Sequence, residues 1–268
     1  MKCRRVMTRI VDRFRGFLFH EIELWASNTP LIDRYPDSLD EVLRYRTEYI
    51  YGDHGTFDPG TWIPPSPTIE VNGVRIGTDK ITHFFSEGWW YERWYRKALA
   101  RGDTAERAER FAIDRGIFTE RTVLGMGVSG VFSTADLEAN YRGMKYLLGF
   151  CYGDSPVVER AEDGWVQREP FDFRDHVSPE WDESYQVSIF SERRWNKVRP
   201  VLEQYCPLLR SDDVSRRRDR YARLDRATPT ESRLAELVRE GRLADPSRFT
   251  LERVCGSIAE ADAAPAGP

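Results

Sequence analysis

The sequence predicts a mainly α fold, an α+β chain with one or two small β-hairpins. Three observations predict it. Helix-start signals recur along the chain, as in Ser38–Glu41, Ser133–Asp136 and Thr228–Pro229. Apolar residues between such signals return at helical spacing, three or four apart. The best β signal is a single short one, Asn72-Gly73 flanked by β-branched runs.

Taken in order, Met1 to Trp25 reads as an amphipathic helix with Ile10, Phe14, Phe17 and Leu18 on one side. A second helix is expected from Ser38 to Tyr51, where a Ser38/Glu41 capping box precedes Val42, Leu43, Tyr45, Tyr49 and Ile50. "YGDHGTFDPGTWIPPSP" is then a long loop rich in Gly and Pro. The hairpin "TIEVNGVRIG" (68–77) leads into "GTDKITHFFSEGWWYERWY", with Thr78 or Asp79 as the N-cap. Gly102 stops that segment, and Thr104 starts another helix that Gly116 can end.

"TERTVLGMGVSGVFSTADLEANYRGMKYLLGF" begins rich in Gly and β-branched residues, which suits a short strand or a close backbone approach. It ends as a helix opened by Ser133, with Asp136 at the third position of a capping box. A strand is expected at "GWVQREPF", and a helix from Ser191 to Tyr205. From about Asp212 the chain is charged and helical, with Gly241 ending the helix that Thr228-Pro229 begins. These signals divide it into a main domain, 1–211 with its core at 78–150, and a helical extension, 212–268, with a frayed tail.

Composition narrows the function classes. The chain is 40% hydrophobic and 31% charged, a globular balance. A net charge of -4 argues against general nucleic-acid binding. The basic run "SRRRDRYARLDR" alternates with acids and reads as a solvated helix face. No stretch reaches the roughly 20 apolar residues of a membrane span. Arg9, Asp12, Arg13 and Arg15 interrupt the apolar run that a signal peptide needs. The expectation is a soluble chain without an export signal, periplasmic or secreted if a leader is missing and otherwise cytoplasmic. Cys3, Cys151, Cys206 and Cys255 show no metal-ligand spacing, so a Cys151–Cys206 disulfide and buried free thiols both stay open.

The chemistry concentrates after the hairpin. Lys80, His83 and Glu87 share one helix face, beside an apolar face of Ile81, Phe84, Phe85 and Trp89. If Gly88 ends that helix, Glu87 projects from its last turn among Trp89, Trp90 and Tyr91. Apolar walls and the negative helix end then raise its carboxyl pKa, as a general acid requires. If the helix runs through Gly88, His83 and Glu87 form an ordinary i, i+4 pair. Downstream, Ser129, Ser133, Asp136 and Asn140 could orient a water or bind sugar hydroxyls, although Asp136 also fits a purely capping role.

A helix ending in a catalytic Glu, followed by a Gly-containing β segment, resembles the lysozyme-like superfamily. "DKITHFFSEG" and "GVFSTADLEANYRG" are also similar to bacterial envelope proteins that include a predator-type lysozyme acting on deacetylated peptidoglycan. The resemblance covers Thr78 to Phe150 and implies a lysozyme-like helical core that cleaves cell-wall polysaccharide without a cofactor. It implies Glu87 as the acid, and it leaves Glu120, nearer the Gly-rich segment, as the alternative. Asp136 would assist, Lys80 and His83 would tune the acid, and Trp89, Trp90 and Tyr91 would face the sugar with Ser129, Ser133 and Asn140. Departures are a longer gap between Glu87 and the β segment and the absence of a Gly-Leu-Met-Gln run. Two other classes compete. One is a non-enzymatic glycan- or partner-binding envelope protein. The other is a metal-dependent hydrolase using His83, Glu87, Asp136 and His54, which lacks any HExxH pair.

Overall fold

In the computed structural model, which describes residues 3–14, 20–35, 37, 66–151, 156–224 and 227–256, the helical signals are realised as a mainly α fold with small antiparallel β elements. In chain order these are α1 (Cys3–Phe14), α2 (Glu21–Asn28), β1 (Arg34–Tyr35), β2 (Thr68–Val71) and β3 (Val74–Gly77). Then come α3 (Asp79–Thr82), a π-helical turn (His83–Glu87), α4 (Gly88–Leu99), α5 (Ala105–Thr122), β4 (Val131–Phe132) and α6 (Thr134–Gly149). The rest is β5 (Val158–Ala161), β6 (Gly164–Gln167), β7 (Ile189–Phe190), α7 (Glu192–Glu203), α8 (Asp212–Leu224) and α9 (Pro229–Arg239). Among the described residues no helix is long and apolar enough to cross a membrane. The expected helix at Ser38–Tyr51, most of the loop after it and His54 lie outside the described residues.

Helix α6 is the axis of the fold. Ala135, Leu137, Ala139, Met144 and Leu147 are buried on several of its sides, the pattern of a helix enclosed by neighbours. One core cluster joins Tyr91, Ile113, Ile117, Phe132, Leu137 and Met144 to Leu234, Leu237 and Phe249 of the C-terminal segment. A second joins Ile69, Val74 and Ile76 of the hairpin to Phe84, Trp181 and Tyr221. A third packs α1 through Cys3, Met7 and Val11 onto Trp89, Leu147 and Phe150. The C-terminal helices therefore share the core of the main body.

Local signals hold where one turn decides the outcome. Asn72 (φ 51°) and Gly73 (φ 75°) close the hairpin in register Val71↔Val74, and β1 pairs with β2 through Arg34↔Ile69. Thr104, Ser133, Ser191 and Thr228 each accept a backbone N–H as helix N-caps. Strand β6 pairs with β5, and the Gly-rich segment turns into β4, which pairs with β7.

Signals that depend on distant partners come out differently. The described helix Cys3–Phe14 buries Cys3, Met7 and Val11, leaving Ile10 and Phe14 exposed. A Cys3–Cys151 disulfide ties that face to the end of α6, and Cys206 pairs with Cys255, so the Cys151–Cys206 pairing is replaced. Gly88 does not end a helix: it has φ -56° and ψ -33°, and α4 starts there. Its lack of a side chain serves a crossing, since a Cβ on Gly88 would lie 2.7 Å from Gly143 Cα. Gly116 likewise sits inside α5, facing the Tyr91 hydroxyl.

Candidate active site

Lys80 is only 1% exposed, a burial that an ammonium tolerates when it is paired. Its Nζ lies 3.0 Å from Asp79 Oδ2, 2.6 Å from Asp136 Oδ1 and 2.9 Å from Glu183 Oε1. Burial alone would lower its pKa. The carboxylates of Asp136, Asp79 and Glu183 outweigh that and hold it well above its usual value. Asp136 reaches this position from the first turn of α6, and Lys80 from α3.

His83, at the start of the π-helical turn, reads both sides of the same carboxylate environment. Its Nε2 is 3.3 Å from Asp136 Oδ2, and its Nδ1 is 3.0 Å from Asn140 Oδ1. An amide oxygen only accepts, so Nδ1 carries the proton in that contact. Burial opposes an imidazolium here, and Asp136 outweighs it, so the His83 pKa rises. The ring is thus committed to Asp136 and Asn140, and the i, i+4 ion pair with Glu87 is not formed.

Glu120 completes the constellation from the last turns of α5. It is 2% exposed, and its Oε1 accepts the Ser133 N–H at 3.0 Å. This bond takes the place that the Asp136 side chain would fill in a reciprocal capping box. Ser133 Oγ still accepts from Asp136 N at 3.1 Å, and it donates to Glu183 Oε1 at 2.9 Å. The Asp136 carboxylate is thereby free for Lys80 and His83. Burial first, and then Asp136, push the Glu120 carboxyl up to about 8, against the lowering pull of Ser133 N–H, His83 and Lys80. The Gly-rich segment lies directly against this acid: a Cβ on Gly125 would meet Glu120 Oε1 at 1.9 Å.

The structure thus gathers Lys80, His83, Glu120, Ser133, Asp136 and Asn140. Glu87 stands at the edge of the group. Burial raises its pKa, with His83 lowering and Asp136 raising it, but it sits inside a continuous helix rather than at an end. Tyr91 is a core residue whose hydroxyl lies by Asn140 and Gly116. Trp89 is packed against α1 in the third cluster, so it has no free face for a sugar, which corrects the expected aromatic wall. Trp90 points outward instead, 41% exposed. Ser129 Oγ donates to Gly125 O at 3.0 Å and is spent on its own turn.

Two members escaped the sequence reading. Asp79 was legible only as a cap, and Glu183 sits in the loop "VSPEWDESYQVSIF" with no spacing signal at all. Glu183 is 44% exposed on its side chain and forms the rim of the cluster. Asp79, His83 and Asp136 offer ligand atoms within 4.8 Å of one another, as a cation site requires. The Lys80 ammonium already touches both of those carboxylates and supplies the positive charge between them. No family model matches the chain, and neither the curated proteins nor the solved structures contain a match.

Proposed function

We propose that this protein hydrolyses a glycosidic bond of bacterial cell-wall glycan, with Glu120 as the general acid and Asp136 as the assisting carboxylate. One observation carries the reading. A buried carboxyl raised to about 8 stands beside a carboxylate held by an ammonium and an imidazole. Two neighbouring acids in opposed environments are what acid–base cleavage of an acetal uses. The order helix, acid, Gly-rich segment matches what the lysozyme-like resemblance implies once the acid is Glu120 rather than Glu87. Two disulfides suit an oxidising, extracytoplasmic compartment.

In this scheme Glu120 gives its proton to the glycosidic oxygen, and the C–O bond breaks with its electron pair going to that oxygen. Water adds at the anomeric carbon, and its proton passes to Asp136. Lys80 and His83 hold and aim Asp136, while Ser133 N–H fixes the Glu120 carboxyl. The competing metal-dependent reading draws on Asp79, His83 and Asp136.

Clearing of wall preparations, acetylated and deacetylated, tests the proposal. Wild type should clear at least one, Glu120→Gln neither, and Glu87→Gln should retain most of the activity. Loss in Glu87→Gln alone would return the acid to Glu87, and loss on adding a chelator would favour the metal reading. Wild type that binds glycan yet clears nothing would make the protein a binding module.

A further inference from the structure

The outer face of α4 and α5 carries a second feature, away from the buried acids. Trp90 and Trp94 lie one helical turn apart on α4, with ring centroids at 6.5 Å. Arg93 lies over Trp89 at 4.7 Å and over Trp90 at 5.4 Å. On the neighbouring helix, Arg115 lies over Trp94 at 5.8 Å and over Phe118 at 5.1 Å. Phe118 is 51% exposed, and both arginines are exposed. The result is one continuous strip: Arg93, Trp90, Trp94, Arg115, Phe118.

Neither Arg93 nor Arg115 forms an ion pair among the described residues, in a chain of net charge -4 where buried Arg233 and half-buried Arg142 do. A guanidinium stacked on a ring keeps its fork of N–H donors at its edge, and that fork fits a carboxylate. Exposed indole and phenyl rings beside it offer apolar surface to the ring faces of a sugar. Exposed aromatic surface combined with unspent positive charge selects a ligand that is both ring-built and anionic.

We propose that this strip is a docking surface for a carboxylate-bearing polysaccharide strand, holding the polymer outside the site that cuts it. The identification of the polymer as wall glycan rests on the hydrolase reading, whereas the charge and ring chemistry of the strip do not. Free guanidiniums take the carboxylates, and Trp90 and Phe118 cover the sugar rings.

The test is binding of a soluble, carboxylate-bearing wall-glycan fragment, and of its carboxyl-reduced counterpart, to the full chain in a Glu120→Gln background. Titration is followed by tryptophan fluorescence and calorimetry. Arg93→Gln with Arg115→Gln, and separately Trp90→Ala, should each weaken binding of the acidic fragment by about tenfold or more, with unchanged thermal melts. Carboxyl reduction should cost a similar factor, and Arg239→Gln on α9 should cost nothing. Equal binding by the strip variants and the parent overturns the docking surface and leaves the hydrolase reading standing if walls are cleared. Strip-dependent binding without wall clearing keeps the surface and sinks the hydrolase. No binding of either fragment overturns the surface whatever the clearing assay shows.

Discussion

Helix α6 carries two acids on different faces, Asp136 and Glu138, and the contrast between their surroundings separates chemistry from scaffolding. Glu138 is buried and accepts from Arg142 Nε at 2.9 Å and from Thr228 Oγ1 at 3.0 Å. Thr228 is also the N-cap of α9, so this carboxyl fastens the C-terminal helices to the core. Burial first, moderated by Arg142 and Thr228, raises the Glu138 carboxyl to about 7. Asp136 instead shares one ammonium with Asp79 and Glu183, stands beside the protonated Glu120, and opens to solvent at Glu183. A raised pKa alone therefore does not mark a site, since structural networks raise it too. Surplus acid over cation, with a path outward, is what distinguishes the Asp136 side.

The largest test of that contrast pairs Glu120→Gln with Glu138→Gln. Removing a general acid should lower wall clearing by roughly 10²–10⁴-fold, while Glu138→Gln should leave the turnover of folded protein close to wild type. Wild-type turnover should also fall as pH rises through about 8, because Glu120 must hold its proton. Similar losses in both variants would erase the distinction between the two faces.

Removing the cations comes next. Lys80→Met strands Asp79, Asp136 and Glu183 without their shared ammonium, and breaking a buried pair in this way costs about 3–5 kcal/mol. Arg142→Met should cost less in urea unfolding, because Glu138 can take up a proton near neutral pH. A larger loss for Arg142→Met would reverse the assignment.

The same difference predicts a pH signature. The folded pKa of Glu138 lies above its unfolded value, so the stability it contributes is present below about pH 4.5 and lost as pH rises through about 7. The span is on the order of 3 kcal/mol. Melting curves of wild type and Glu138→Gln should hence converge at low pH and part with rising pH, the variant gaining. Parallel curves from pH 4 to pH 8 would show that the Glu138 carboxyl titrates alike in the folded and unfolded chain.

Much of this was legible in the residues, and the boundary is physical. The hairpin and the N-caps depend on one turn of chain each, and Lys80 and His83, three residues apart, meet on one carboxylate, Asp136. What failed was set by partners far along the chain. Cys3 and Cys151 are 148 residues apart, and that tether decides which face of α1 is buried and why Trp89 is not free. Glu183 joins Lys80 across a separation of 103 residues. Asp136 at a capping position looked like a cap because nothing local shows that Glu120 takes the Ser133 N–H instead.

Gly88 was the most misleading residue, because a glycine after a helical run signals an end, and here it signals a crossing. Its partner gives the smallest and sharpest prediction. A Cβ on Gly143 would lie 1.8 Å from the Phe84 carbonyl oxygen, a backbone atom in the π-helical turn that cannot swing aside. Gly143→Ala must therefore push α6 from the turn that carries His83, stretching the His83–Asp136 and His83–Asn140 contacts. Overpacking of this kind costs about 1–3 kcal/mol, and the displaced carboxylate should lower wall clearing as well. Gly149→Ala, on the same helix with open space around its would-be Cβ, should instead gain roughly 0.5–1 kcal/mol. If both alanines behave alike in melting and clearing, then the close crossing does not set the geometry of the Asp136 side, and helix propensity alone accounts for the two glycines.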